Sequence, residues 1–380
     1  MKKEKFKFIE IVRGFGIGCS SQISPKQHYQ LNPIKIMQKK GFICELWTLK
    51  KTCKNKASVF EGINVRRFPN SFSLLFHLLI SRDVKLVYAQ LRPFLPSLLA
   101  PLSFKKCILM TQTYEFGNWF TKKFSLFFMK RFNKIFALTP YERNLYIKNG
   151  LREDRVAVMP HSIDYSFFSS KPKKSLGTIR KEYGIGKEDF VVTTVANFRK
   201  FKNLDTMVGA FGLFNKKVKK SKMIVVGIDQ TKNPFYIEQN SKRYKGVEDV
   251  DKIIKREGLS KSIIFTGGLT YDRVREILYV SDVFVNSSDP EGMGMAVYEA
   301  ASAGVPLCLS NIGPFTSVFG DMALYNPPRD KEKLASNYLR YYKNLTLRKK
   351  TGKRLKKYFR KWDYSIIMKR LNRIISDVLG

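Results

Sequence analysis

Two carboxylates stand eight positions apart in Glu291-Gly-Met-Gly-Met-Ala-Val-Tyr-Glu299, on either side of a glycine-containing turn. Upstream, Asp282-Val-Phe-Val-Asn-Ser-Ser reads as a buried strand, and downstream Met295 to Ala303 is a helix-forming run closed by Gly304 and Pro306. In open α/β sheets, the order strand, glycine turn, helix puts ligands beyond the carboxyl ends of the strands. A helix that starts near Gly294 turns its free N–H groups toward the ligand and suits an anion such as a diphosphate. Gly292, Met293, Gly294 and Met295 then line the turn, and Glu291 lies at the mouth of the site. Glu299 falls about one turn into the helix, where a carboxylate can accept hydrogen bonds from paired hydroxyls. A ligand with both hydroxyls and phosphate fits, and a nucleotide sugar is such a ligand. Helix N-termini also favour acidic residues by macrodipole alone. That alternative suits Glu299 poorly, because an unpaired carboxylate among Ala, Val, Tyr and Ala would be costly to bury.

Cations stand on a second segment. The strand Phe190–Ala196 runs into Asn197-Phe-Arg-Lys-Phe-Lys-Asn203, which offers Arg199 and Lys202. Both side-chain types neutralise phosphate and can stabilise a departing diphosphate. Asp249-Val-Asp251 matches the Asp-x-Asp signature of metal-dependent transferases of another fold. Here it precedes Lys252-Ile-Ile-Lys-Arg-Glu, so acidity at a helix start explains it better. No metal ligand and no cofactor are expected.

Glu291-x7-Glu299 followed by Ala300-x-x-x-Gly304-x-Pro306 resembles the donor-site motif of retaining GT-B glycosyltransferases of family 4. Val225-Val226-Gly227 resembles a strand and glycine of that family's nucleotide domain, and Ile264-Phe265-Thr266-Gly267 its later strand and turn. Tyr279-Val280-Ser281-Asp282-Val283 resembles the stretch before the motif. Pro160-His161-Ser162-Ile163-Asp164 through Phe168 resembles the interdomain linker, usually Pro-Asn-Gly-Val-Asp-x-x-x-Phe. The match is dense from about 156 to 330 and thinner before that.

The resemblance implies an α/β protein of two Rossmann-like doubly wound domains facing a cleft, with a C-terminal helix crossing back to the N-terminal domain. The expected division is 1–165 for acceptor binding, 172–355 for the nucleotide-sugar donor, and 356–380 for the returning helix. It gives Glu291 the sugar hydroxyls, Glu299 the ribose, and Lys202 with Arg199 the diphosphate. Gly227 and Asn197 would be near the donor. Lys202 matches the family's lysine, whereas Asn197 stands at the usual arginine position and Arg199 lies two residues later. Many members carry a His after the strand that ends near 111. This chain reads Met110-Thr-Gln-Thr-Tyr-Glu-Phe116, so Thr113 or Tyr114 would stand there, with Glu115 a possible cleft carboxylate. The glycines Gly14, Gly16 and Gly18 belong to a loop that faces the cleft in the family. Of the three histidines, His77 reads as structural, His161 replaces the linker Asn, and His28 carries no assignment.

The rest of the chain supplies the frame. Its 380 residues suggest two domains, each with its own core. Strands are expected at Phe6–Val12, Phe42–Leu49, Val84–Ala89, Cys107–Thr111, Lys134–Leu138 and Val156–Met159, with a helix over Gln27–Lys40, which implies a parallel sheet. No segment is apolar enough to span a bilayer, and the apolar run Ser73–Ile80 is too short. The five cysteines have no Cys-x-x-Cys spacing and read as reduced thiols of a cytoplasmic protein.

Charge is distributed unevenly within a net +39. Residues 1–170 carry +19, residues 171–330 only +7, and the last fifty +13. Basic ends beside a nearly balanced donor domain suit an anionic surface. Trp119 to Phe132 is amphipathic at helical spacing, with Phe120, Phe124, Phe127, Phe128 and Phe132 as one stripe and Lys122, Lys123 and Lys130 away from it. Such a helix reads either as interfacial on a membrane or as an ordinary core-facing helix. Three functions stay open. The favoured one is a sugar transferase, peripheral on the inner face of the membrane, acting on a lipid-linked or surface-glycan acceptor. The others are a soluble transferase on an acidic glycan and a nucleic-acid binder on the same fold. The last is disfavoured, since the charge avoids the donor domain and no nucleic-acid motif is present.

Overall fold

The computed structural model describes residues 6–11, 31–49, 59–60, 62–91, 95–111, 119–228 and 248–380. The chain divides into two compact units, 1–162 with 364–380, and 163–363.

The first unit is built on an eight-stranded sheet. Its strands are β1 (Lys7–Ile11), β2 (Ile43–Leu49), β3 (Val59–Phe60), β4 (Ile63–Phe68), β5 (Val84–Leu91), β6 (Lys106–Thr111), β7 (Lys134–Ala137) and β8 (Val156–Val158). They lie in the order β3-β4-β2-β1-β5-β6-β7-β8, all parallel except β3, which runs antiparallel at the edge. Alternation sends Ile9, Ile11, Val87, Ala89, Leu109 and Ile135 to one face, where Leu74, Leu78, Leu126 and Met129 from the helices, and Phe132 from the turn after the last of them, complete the core. Phe8, Leu46, Leu86 and Tyr88 are buried on the other face. There the helix Asn32–Lys39 packs on β1 and β2, and the helix Tyr364–Leu379 packs on that helix. Lys40 Nζ donates to Ser376 Oγ at 2.9 Å, and Lys106 Nζ to the Leu379 carbonyl at 2.6 Å, which fastens the last turn of the returning helix. Helices on both faces of a parallel sheet make this a doubly wound unit.

The aromatic stripe of Trp119–Phe132 is split by the structure. Leu126, Met129 and Phe132 fill the core, whereas Phe124 and Phe127 are exposed and Phe128 is half-buried. The single-stripe expectation fails because the chain leaves the helix at Met129, so Phe132 is placed by the turn that follows and not by helical spacing. The side chain of Phe120 lies outside the described residues.

The second unit carries β9 (Phe190–Val195), β10 (Ser221–Val226), β11 (Ile263–Gly267), β12 (Val283–Asn286), β13 (Leu307–Ser310) and β14 (Ala323–Asn326), in the order β11-β10-β9-β12-β13-β14, all parallel. Its central strands, Phe-Val-Val-Thr-Thr-Val and Val-Phe-Val-Asn, are rich in β-branched residues and buried on both faces, as a helix-covered parallel sheet requires. Residues 345–362 remain with this unit because Phe359 and Trp362 pack against Tyr298. Its ring centroid lies 5.2 Å from that of Phe359 and 5.1 Å from that of Trp362. The crossing to the first unit therefore falls at Asp363, which bridges to Ile163.

Candidate active site

Numbered within its own sheet, the second unit has strand order 3-2-1-4-5-6, and the order reverses between β9 and β12. These two strands are paired in parallel, Val192 with Val283 and Thr193 with Phe284. Loops leaving such a pair diverge to opposite faces and open a crevice beyond the strand ends. The Asn197–Asn203 segment leaves β9, and the Ser287–Gly294 segment leaves β12. Asn197, Arg199 and Lys202 thus sit on one loop and Glu291 to Gly294 on the adjacent one, whereas Met295 and Glu299 lie on the helix that follows and Gly227 at the end of β10.

Three contacts latch the loops together. Asn203, held in the left-handed region at φ 49°, donates from Nδ2 to the Ser287 carbonyl at 2.8 Å. The Asp289 N–H donates to the Phe201 carbonyl at 2.8 Å. Lys202, on the short 3-10 turn Lys200–Lys202, forms an ion pair with Glu291. The two side chains are only 16 % and 14 % exposed, so this pair is shielded, unlike the solvated surface pairs that contribute little. The Gly292 N–H also donates to Glu291 Oε1, at 3.3 Å. Sequence reasoning assigned Lys202 and Glu291 separately, and the structure joins them.

Gly294 caps the helix Met295–Ala303 from the left-handed region, φ 71°, with Phe315 so close that an added Cβ would sit 3.2 Å from its ring. Glycine is therefore needed both for the turn and for the space. Alanine-rich sequence carries the helix to Gly304. The Met293 side chain is buried, which anchors the turn and leaves only its backbone to face a ligand. Tyr298 is completely buried against Phe319, Phe359 and Trp362, and that cluster fixes the roll of the helix. Aromatic pairs of this kind contribute about 0.5–1.5 kcal/mol each beyond the area they bury.

With the roll fixed, Glu299 is 6 % exposed. Burial pushes its carboxyl up to about 7, and a hydrogen bond donated by the Tyr271 hydroxyl to Oε1 at 3.3 Å opposes the rise. Tyr271 opens the helix Tyr271–Val280, and nothing in its local sequence marked it as a partner of Glu299. Near the latch, the buried hydroxyls of Ser287 and Ser288 and the Oδ1 of Asn203 have no hydrogen-bond partner among the described residues.

On the β9 side, Asn197 is exposed at the strand end, and Arg199 is half-buried at the start of the 3-10 turn. Gly227, at the end of β10, has φ 128°, and a Cβ there would lie 1.7 Å from the Ala196 carbonyl oxygen. Its place is set by the close approach of two strand ends. Asp249 caps the helix Val250–Glu257 by accepting from the Asp251 N–H at 2.9 Å, in keeping with the acidity of a helix start. Gly14, Gly16, Gly18, Thr113, Tyr114, Glu115 and His28 lie outside the described residues. His77 is half-buried against Phe68, with Nδ1 on the Ser73 carbonyl at 2.7 Å, a structural role. His161 lines a small pocket of the first unit with Asn32, Tyr88 and Gln90.

Comparison with known proteins gives the same picture from outside. The family model described as glycosyl transferases group 1 matches residues 177–362, nearly the whole second unit. N-acetyl-alpha-D-glucosaminyl L-malate synthase of Bacillus anthracis is 25 % identical over 194 residues, which is 50 % of this chain and 46 % of that protein. Alpha-monoglucosyldiacylglycerol synthase of Acholeplasma laidlawii is 26 % identical over 169 residues, 44 % of this chain and 38 % of that protein. The chain thus spans less than half the length of these curated relatives. Among solved structures, Anabaena HepE in complex with UDP superposes with a TM-score of 0.77 at 13 % identity, covering 98 % of this chain and 100 % of that one. At that identity the likeness establishes the fold, two Rossmann-like units of the GT-B type.

Proposed function

From the premise that residues 177–362 belong to the glycosyl transferases group 1 family, we propose that the chain transfers a sugar from a nucleotide-diphosphate sugar to a lipid-linked or surface-glycan acceptor at the inner face of a membrane. The observation that carries the reading is the pairing of Lys202 with Glu291 at the switch point, with the buried carboxyl of Glu299 on the helix that follows. A shielded ammonium there can exchange its carboxylate partner for a diphosphate oxygen. The freed Glu291 then accepts from the hydroxyls of the donor sugar. Arg199 adds a second positive charge on the same loop, and the backbone of Gly292 to Met295 offers N–H groups at the helix start. Glu299 accepts from the ribose hydroxyls. HepE, whose fold this chain shares, was crystallised with UDP.

In this reading the acceptor hydroxyl attacks the anomeric carbon from the face that the diphosphate leaves. The new glycosidic C–O bond forms as the anomeric C–O bond to phosphate breaks, and the acceptor proton passes to the departing diphosphate. Configuration is retained. Lys202 and Arg199 stabilise the developing negative charge, a fixed electrostatic effect of the order of 3–4 kcal/mol for one well-placed donor. No metal or cofactor takes part. A membrane-borne acceptor is supported by the relative named for a diacylglycerol product and by the basic excess outside residues 171–330. Among the described residues no helix is long and apolar enough to cross a membrane.

The test is incubation of the full chain with UDP-, GDP-, ADP- and CMP-sugars and a bacterial lipid extract, followed by mass spectrometry of the lipids. A single glycosylated lipid class from one donor, with the anomeric configuration of that donor by NMR, supports the reading. Transfer only to water-soluble glycan would move the acceptor away from the membrane. An inverted anomer would overturn the mechanism.

A further inference from the structure

We propose that the first unit inserts into an anionic lipid bilayer through a face made by three elements: the helix Ser71–Ile80, the turn Ala100–Ser103 with Phe104, and the helix Trp119–Met129. This deepens the membrane reading above and rests on it.

The helix Ser71–Ile80 buries only Leu74 and Leu78 against the core. Its outer side carries Phe72 at 80 % exposure and Phe76 at 59 %, with Leu79 and Ile80 continuing the stripe one turn on. A helix that is apolar on both sides is ordinarily enclosed on both sides. The next element, the 3-10 turn, ends at Phe104, which is 95 % exposed and held at φ 58° in the left-handed region. Glycine or asparagine usually takes that position, and a bulky side chain there is an outlier. An exposed ring on a disfavoured backbone contributes nothing to the core of the unit, which points to a role outside it. Phe124 and Phe127 extend the apolar face on the third element.

These elements are neighbours. The helix Ser71–Ile80 packs on both the turn and the helix Leu95–Leu99, and the latter packs on Trp119–Met129. Leu95 on the helix Leu95–Leu99 and Leu102 on the turn are exposed as well. Contiguous apolar surface of this kind marks a docking site.

Charge identifies the occupant. Between residues 71 and 134 the sequence has ten basic side chains and two acidic ones, Asp83 and Glu115. Arg82, Lys106, Lys123, Lys130 and Arg131 are exposed, and the Arg131 guanidinium lies 3.9 Å from the centroid of the Phe127 ring. Aromatic side chains among lysines and arginines suit the acyl–headgroup boundary of an anionic bilayer. A second copy of the chain is the alternative cover. A symmetric pair would bring the same basic groups face to face and repel.

The experiment uses the full chain with vesicles of phosphatidylcholine alone and with one-third phosphatidylglycerol, in co-sedimentation. The triple variant Phe72→Ser, Phe76→Ser, Phe104→Ser removes only exposed rings, and its melting curve checks that it stays folded. Each buried ring should be worth roughly a tenfold change in partitioning, so the triple variant should lose at least about 100-fold on anionic vesicles. In a second measurement, Phe104→Trp should gain fluorescence that brominated lipids quench. Unchanged vesicle binding by the triple variant, or no added quenching at position 104, overturns the proposed face while leaving the membrane reading intact. Failure of the wild type to bind either vesicle removes the membrane reading as well. A wild-type dimer that the triple variant converts to monomer assigns the face to a second copy and also overturns the proposal.

Discussion

Replacement of Glu299 by Gln separates folding from donor binding, because the two should move in opposite directions. A carboxyl whose value is raised in the folded state binds its proton more tightly there than in the unfolded chain. Stability therefore falls as pH rises from the ordinary 4.5 through about 7. At pH 8, above both values, that gap is worth about 3 kcal/mol as an upper figure. Glutamine keeps the shape and an acceptor for the Tyr271 hydroxyl but never ionises. Glu299→Gln should therefore melt higher than wild type at pH 8, by up to roughly 6–12 °C for a unit of this size. At pH 5 the gap should shrink to about 1 kcal/mol, roughly 2–4 °C, and below pH 4 the two should melt together. The proposed ribose contact needs the ionised form, so wild-type donor affinity should rise roughly tenfold from pH 6 to pH 8 as the group titrates. The Gln variant should bind about 10–100-fold more weakly at pH 8 and show no such rise. Scanning fluorimetry at the two pH values, with and without UDP-glucose and GDP-mannose, reads both effects. A variant that melts below wild type at pH 8, or differs from it equally at pH 5 and pH 8, would refute the argument from burial.

Three further outcomes follow from the same geometry. Lys202→Met strands the shielded Glu291 carboxylate and removes a cation from the diphosphate, so transfer should fall about 100–1000-fold in kcat while the fold survives in circular dichroism. Gly227→Ala places a Cβ 1.7 Å from the Ala196 carbonyl oxygen at φ 128°, and chemical denaturation should show a loss on the order of 3 kcal/mol or more. Tyr271→Phe deletes the hydrogen bond that holds the Glu299 carboxyl down, so the rise in donor affinity with pH should shift to higher pH in calorimetric titrations.

Much of this arrangement was legible in the sequence because it rests on local pattern. Short apolar runs located six of the eight described strands of the first sheet to within about two residues, whereas β3 and β4 went unmarked, and the glycine-flanked run Met295–Ala303 located the helix beside the site. Glu299 stood out because an unpaired carboxylate among apolar neighbours needs a reason, Glu291 through its place in the turn between strand and helix, and Lys202 through its match to the family's lysine. What stayed hidden depends on tertiary closeness. Tyr271 lies 28 residues before Glu299, and only the packed sheet brings its hydroxyl there. Asn203 reads as an ordinary loop residue until its side chain is seen on the Ser287 carbonyl. The direct pairing of Lys202 with Glu291 spans 89 positions and has no local signal. Glu10 was likewise unmarked inside an apolar strand. It is fully buried, accepts from Gln90 at 2.5 Å, and burial pushes its carboxyl well above the usual range. The stripe of phenylalanines misled for the opposite reason, since helical spacing was extended past the end of the helix into Phe132.

The central claim is that a nucleotide sugar occupies the switch point between β9 and β12. It is tested most directly by the melting temperature of wild type and Glu299→Ala with a panel of UDP-, GDP-, ADP- and CMP-sugars, since a ligand that binds only the native state must raise it. The account predicts stabilisation of the wild type by one nucleotide class and its loss in the variant. No response of the wild type to any donor, or an equal response in the variant, would contradict it.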